Sequence, residues 1–521
     1  MSVVSLRRTR TVVSAALAGV LATAPASAQE RRLGSIDFPN SGAPAAQHAF
    51  IQGVLLLHSF EFEDAATEFR AAQKADPSFA LAYWGEAMSY NHPLWQEQDG
   101  DAARKALARY APTPEARATR TPTERERGYL EAVDALYGPG DKTERDRRYM
   151  EAMRRLSDAF PDDLEARAFY ALSILGTRDG VRDFATYMRA AAVAQTVFDA
   201  NPMHPGAAHY LIHSFDDPVH APLGLKAARA YSKIAPDAAH AQHMTSHIFV
   251  ALGMWDDVVA ANVRARDVQN ARLAELGRAP NVCGHYTSWL HYGWLMQGRP
   301  LEAAKGMQAC LERVRAGARP DEIAYFVDMR ARHVLDTQEW DLADRFAADL
   351  PEGSSALHAY DFVTAYAAVK RGDRERAARL LAEMTSMRES SGDDQPRARI
   401  REMEIQALLD TEDGEGEQAV ALLRDAAALE ETLPFEFGPP ASLEPPHELL
   451  GEVLLEEGRA ADAVAAFRRA LELTPGRTLA LMGLSIAAGE AGDDDLAADA
   501  DARLRAVWRS AEPAFRTRVG R

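Results

Sequence analysis

The chain has 521 residues, 59 Lys+Arg against 77 Asp+Glu, a formal charge of -18 and 47% hydrophobic residues. That apolar content is ordinary for a folded soluble protein and excludes disorder and a collagen-like chain, and two cysteines exclude a disulfide scaffold. The acidity argues against nucleic acid, because a polyphosphate partner needs a basic stripe to release counterions, and it favours cationic partners.

In chain order, the first element is an address. Arg7, Arg8 and Arg10 precede a short apolar run from Thr11 to Ala24, followed by Ala26-Ser27-Ala28. A positive start, a short apolar stretch and a small-x-small step predict a removed secretory signal over residues 1–28. The expected compartment is a periplasm, with secretion as second choice. The run is short for a bilayer, no other run of eighteen apolar residues exists, and no cysteine sits at the cut, so neither a transmembrane nor a lipid anchor is expected.

The chain then repeats itself at 34 residues. Gly53, Ala65, Phe69, Ala72 and Pro77 follow spacings that return unchanged in Gly451, Ala463, Phe467, Ala470 and Pro475. Small residues at helix crossings allow close packing, and a proline after the last turn stops a helix. These markers resemble the tetratricopeptide repeat, in which a small residue at the eighth place of each unit lets two helices approach. Ala80, Tyr83, Ala87 and Tyr90 open a second copy, and Pro202 and Pro236 are again 34 apart. Gly253-Met254-Trp255-Asp256-Asp257 reads as the turn between a repeat's two helices, with equivalent turns at Gly298, Gly372, Gly414 and Gly458. Strand signals are nearly missing. The expectation is an all-α protein of about ten to twelve helix hairpins, and the resemblance implies a right-handed superhelical solenoid. Its expected sections are N-terminal repeats at 41–97, a diverged helical connector at 98–163, central histidine-rich repeats at 164–350, further repeats at 351–433 and C-terminal repeats at 444–510. Gly438-Pro439-Pro440 to Pro445-Pro446 interrupts the array before its last units.

Histidine is distributed unevenly. Nine of the 15 histidines lie between His204 and His291. In the unit starting at Pro205, His209 and His213 hold positions 5 and 9; in the next, His243 and His247 do, and each pair is four apart on one helix face. Asp216 and Asp217 follow at positions 12 and 13, and His240 and His285 hold position 2 of their units. In the tetratricopeptide family that face lines the concave groove, so the resemblance implies that these side chains look into it together. A His/carboxylate set of this kind suits Zn(II), Fe(II), Mn(II) or Cu(II) better than Cu(I) or an iron–sulfur cluster, since sulfur ligands are few. The other readings are a polar groove in which the histidines contact each other, aspartates or a bound peptide, and simple packing in the core. The segments 204–213 and 240–249 also resemble those of large exported bacterial members of the family, for which no activity follows. His58 and His92, both at position 13, either extend the groove or end their helices. Tyr210, Tyr286, Trp289 and Trp294 interleave with the cluster and read as core.

Other patterns fail. Pro446-His447-Glu448-Leu449-Leu450-Gly451 begins like a zinc-protease helix, but Gly451 stands where the second histidine belongs; Gly414-Glu415-Gly416-Glu417-Gln418-Ala419 falls at an interhelix turn and is not preceded by a strand. Glu448, Glu452 and Glu456 read as a solvated acidic stripe, or else as a docking patch for a basic peptide. Cys283 and Cys310 are either a bridge or two small apolar residues that never meet. The sequence therefore points to an exported solenoid that binds a protein or peptide in its concave groove, with a metal site in the central repeats; the alternative is a metal-dependent enzyme with a His/Asp centre, to which no catalytic residue is assigned.

Overall fold

A computed structural model describes residues 31–177, 183–391, 395–434 and 438–517. The expected signal at 1–28 lies outside the described residues. From Arg32 onward the chain forms one compact unit. Among the described residues the only strands are Asn91–His92 and Glu97–Gln98, an antiparallel pair two residues long; the rest is helix and turn. Successive helices pack as antiparallel hairpins, from Pro44–His58 with Phe62–Ala75 at one end to Thr478–Glu490 with Asp494–Val507 at the other.

The repeat markers act as the physics requires. The Phe69 ring is wedged between two helical glycines, where a β-carbon on Gly53 would approach it to 2.9 Å and one on Gly85 to 2.2 Å. Phe467 is held the same way, 2.7 Å from a β-carbon on Gly451 and 2.3 Å from one on Gly483. The turn glycines Gly253, Gly298, Gly372, Gly414 and Gly458 have φ between 65 and 76°, the left-handed region that closes a helix without steric cost only for glycine. Gly85→Ala would gain about 1 kcal/mol of helix propensity. Overpacking against a fully buried ring costs about 1–3 kcal/mol, so a net loss of stability is expected in chemical denaturation.

The connector at 98–163 is helical although it lacks the markers, because each helix starts on its own cap. The Asp99, Thr113, Thr123 and Asp141 side chains accept the backbone N–H groups of Ala102, Ala116, Glu126 and Glu144. The interruption at Gly438 reaches across the array. Gly438 lies against the Trp289 ring, and Arg332 donates to the Pro440 carbonyl at 2.7 Å. The last repeats also dock on the central turns: Trp255 Nε1 donates to Gly476 O at 2.8 Å and Trp508 Nε1 to Met296 O at 3.0 Å. At the other end Arg272 pairs with Asp64 at 2.9 Å and Arg32 with Asp237 at 2.9 Å. The N-terminal hairpin is thereby seated on the central repeats.

Two details differ from the simpler expectations. Glu448 is not on a solvated face: it is fully buried and paired with Arg477, and the carboxyl of Glu452, one turn on, is pushed up to about 7 by burial and by Glu448. A carboxyl raised in this way contributes stability below its unfolded value of about 4.3 and loses it as pH rises through the folded value. Glu452→Gln is therefore expected to match the parent near pH 4.5 and to exceed it above pH 7, read as the difference in denaturation midpoint. The cysteines do meet. Cys283 and Cys310 form a disulfide with Cα atoms 4.7 Å apart, tying the entry of the His285–Met296 helix to Pro300–Arg315. Closing this loop stabilises by about 3–4 kcal/mol. Cys283→Ala with Cys310→Ala should lower the unfolding midpoint accordingly.

Candidate metal centre in the central repeats

Three consecutive first helices carry the site: Pro205–Phe215, Ala239–Ala251 and His285–Met296. The step between the second and third is longer than 34 residues because the intervening helix, Trp255–Glu275, is extended to 21 residues. Despite that insertion His285 returns to the same face. The histidines converge: one ring nitrogen each of His243, His247 and His285 lie within 4.8 Å of one another, and so do those of His209, His213 and His240. His213, Asp216 and His247 form a third group at the same spacing, joining the other two.

The first triad is the tightest. His243 Nε2 lies 3.2 Å from His247 Nε2 and 2.9 Å from His285 Nε2. The outer nitrogens of His243 and His247 are fixed from behind. His243 Nδ1 donates to Asn262 Oδ1 at 2.7 Å, and Asn262 Nδ2 donates in turn to the Val258 carbonyl, so the amide oxygen must face the ring. His247 Nδ1 donates to Asp216 Oδ2 at 3.2 Å. With hydrogens on the two Nδ1 atoms, the neutral rings present Nε2 lone pairs to each other. Lone pairs at this separation repel unless a proton or a cation lies between them. Protonation is disfavoured by burial, which, reinforced by the neighbouring histidines, pushes His243 well below the ordinary histidine value and His285 down to about 3. Two nitrogens on one tetrahedral zinc, at 2.0–2.1 Å each, stand about 3.3 Å apart, close to the spacing found. Rings held through Nδ1 by an amide or carboxylate are the usual support of metal-ligating histidine.

The second triad repeats the logic. His209 Nδ1 donates to the His58 carbonyl at 2.7 Å, leaving Nε2 buried and without a hydrogen bond, as is His240 Nε2. Burial again drives both imidazoles well below the ordinary value. Phe60 covers them, with ring centroids 4.3 Å from His209, 6.0 Å from His213 and 5.5 Å from His240. In repeat register Phe60 occupies the place of the turn glycine Gly458, and it keeps the left-handed conformation, φ 54°. A bulky side chain there costs on the order of 1–2 kcal/mol. The conformation that elsewhere serves a turn here holds an aromatic lid.

A third group, His58, Glu165 and His204, has a different chemistry. Glu165 Oε2 meets His58 Nε2 at 2.7 Å and its Oε1 lies 3.1 Å from His204 Nε2. Tyr210 Oη bonds His58 Nδ1, and His204 Nδ1 accepts the Ala207 N–H as a helix cap. Burial pushes the Glu165 carboxyl up, but the two facing imidazoles outweigh it and hold it at about 2. His58 has an oxygen partner on each ring nitrogen, whereas Glu165 Oε1 and His204 Nε2 face each other without a well-formed hydrogen bond.

Of the residues expected from sequence, His209, His213, His240, His243, His247, His285 and Asp216 come together. Asp217 does not join them: its Oδ1 accepts the backbone N–H groups of Val219 and His220 and contacts His220 Nδ1 at 3.0 Å, closing the turn that precedes the next helix. His58 contributes only its carbonyl, and His92 stacks on Phe62 at 4.1 Å. Trp289 stacks on His247 at 4.6 Å, and Tyr286 stands 5.1 Å from His243, while Tyr210 serves His58. The rings sit in a packed floor; His209 and His243 are fully buried. Asn262 was missed because it belongs to a second helix, at no groove position. Its only signal is a polar residue in the buried stripe Val258, Ala261, Ala265. Phe60 was missed because its role lies in replacing a glycine.

No family model matches the chain, and no curated protein matches it. Among solved structures it is similar to the APC/C hetero-tetramer Cut9–Hcn1, with 10% identity over 91% of this chain and 76% of that one and a TM-score of 0.34. It is also similar to yeast Tom70, with 13% identity over 86% and 96% and a TM-score of 0.34, and to the human IFIT1 dimer with m7Gppp-AAAA, with 13% identity over 90% and 91% and a TM-score of 0.34.

Proposed function

We propose that this chain is an exported metal-binding solenoid whose central repeats hold a divalent first-row ion through His243, His247 and His285. The observation that carries the reading is the close approach of His243 Nε2 to both His247 Nε2 and His285 Nε2, with His243 and His247 tethered through Nδ1 by Asn262 and Asp216. All-nitrogen ligation suits Zn(II), Cu(II) or Fe(II). Three protein ligands leave a position for water or substrate, as in catalytic rather than structural zinc sites. Export rests on the predicted signal at 1–28, and no described helix is long and apolar enough to cross a membrane.

A peptide partner is a second reading, supported by a cleft of about 230 Å³ in the C-terminal repeats, lined by Arg397, Glu430, Pro440, His447 and Arg469. The histidine face itself is packed by Phe60 and Trp289, so this cleft is the better place for a chain to lie. Elemental analysis of tag-free protein purified from the periplasm tests the metal reading. Near-stoichiometric metal, or its recovery when the stripped protein is given zinc, supports it. Protein that carries none and takes up none at micromolar zinc overturns it.

A further inference from the structure

The second triad is an independent site with its own internal logic. The register that builds the first, positions 5 and 9 of one first helix with position 2 of the next, is repeated one unit earlier by His209, His213 and His240. In each triad the position-5 histidine donates Nδ1–H to a neutral oxygen, Asn262 Oδ1 in one and the His58 carbonyl in the other, each at 2.7 Å. In each, the remaining Nε2 carries the lone pair, and one ring nitrogen from each histidine of the triad lies within 4.8 Å of the others. His209 Nε2 and His240 Nε2 are buried and without a hydrogen bond, a cost of about 1–3 kcal/mol per orphaned polar atom that evolution rarely leaves standing unless something meets it. The triads touch: His240 lies 6.0 Å from His243 and His213 5.7 Å from His247, centroid to centroid. Asp216 stands between them, bonded to His247 Nδ1 at 3.2 Å and 3.6 Å from His213 Nδ1. One carboxylate thus serves a ligand of each set and supplies negative charge where two cations would otherwise repel.

We infer that the central repeats hold two divalent ions side by side, the second bound by His209, His213 and His240 beneath Phe60, so that the centre is dinuclear. This rests on the metal reading proposed above and adds to it the second ion and its neighbour. Two Lewis-acidic ions with adjoining open positions suit a ligand that bridges them through oxygen, such as water, hydroxide or an oxyanion.

Zinc is the probe. The full-length mature protein is stripped with chelator, equilibrated with Zn(II), dialysed, and its zinc counted; a Cu(II)-loaded sample is examined by electron paramagnetic resonance. The parent should retain two zinc ions per chain. A His209→Ala, His240→Ala variant should retain one, as should His285→Ala. Copper-loaded parent should show spin–spin coupling that both variants lack. One zinc in the parent, unchanged in the His209→Ala, His240→Ala variant and lost in His285→Ala, overturns the second site and leaves the first standing. Two zinc ions that survive His209→Ala, His240→Ala, or two uncoupled coppers in the parent, also overturn it. No zinc in the parent defeats the metal reading itself. The parent count decides even where a variant fails to fold.

Discussion

His243→Ala is expected to weaken binding at the His243/His247/His285 site by at least about 100-fold. Structural zinc sites bind with apparent free energies of roughly 10–16 kcal/mol over four ligands, so one ligand carries about 3 kcal/mol. His243 stands between the other two Nε2 atoms, so its removal also separates His247 from His285. Its supporting residue gives the graded control. Asn262→Leu keeps the ring and removes the acceptor of Nδ1–H, and loss of such an outer partner costs about 10- to 100-fold in affinity. Metal that binds the folded state alone stabilises it by about 2.7 kcal/mol at 100 times its dissociation constant. Chelation should therefore lower the thermal midpoint of the parent and leave His243→Ala nearly unchanged at that site. Equal zinc affinity in parent and His243→Ala, measured by competition with a chromophoric chelator, would remove this triad as a binding site.

Arg477→Met is expected to destabilise by roughly 3–5 kcal/mol, the cost of leaving buried charge without its partner. Arg477 is almost fully buried. Its Nη2 lies 2.9 Å from Asp336 Oδ1 and 2.8 Å from Glu448 Oε1, and its Nε donates to both Glu448 oxygens at 2.9 Å. This cation joins three repeats, Pro320–Thr337, Pro446–Glu456 and the helix that begins at Thr478. Burial already raises both carboxyls, and Arg477 opposes the shift. Without it their folded values rise further. A raised carboxyl gives stability below its unfolded value near 4 and loses it as pH climbs through the folded value. The deficit of Arg477→Met should accordingly widen from pH 4 to pH 8, and adding Glu448→Gln should recover part of it at pH 8. A deficit that does not change with pH would show that packing of the arginine stem, not its charge, accounts for the loss.

Much of the architecture was legible because a repeat is a local object. Gly53, Phe69 and Pro77 specify a hairpin through neighbours in sequence, and marker spacings that return unchanged at Gly451, Phe467 and Pro475 report it directly. The diverged connector was legible only as helix, since its caps at Asp99, Thr113, Thr123 and Asp141 define where helices begin but not what they pack against. The histidine convergence was legible for the same reason as the repeats: a shared register places side chains on a shared face. Asp217 shows the limit of that inference. One position beyond Asp216, its carboxylate turns to the backbone N–H groups of Val219 and His220, because an aspartate side chain bonds the backbone two and three residues on to close a turn.

The sequence by itself determined the all-α repeat, its turn glycines, and the face on which His209, His213, His240, His243, His247 and His285 stand, because each depends on contacts within one or two hairpins. The tertiary structure decided which imidazoles form which triad, that Phe60 and Trp289 close over them, that Asn262 fixes His243, and that Glu448 is buried against Arg477. Each of those contacts joins residues from different helices, and pairings between elements depend on how the whole array curves and docks back on itself, a quantity no local pattern encodes.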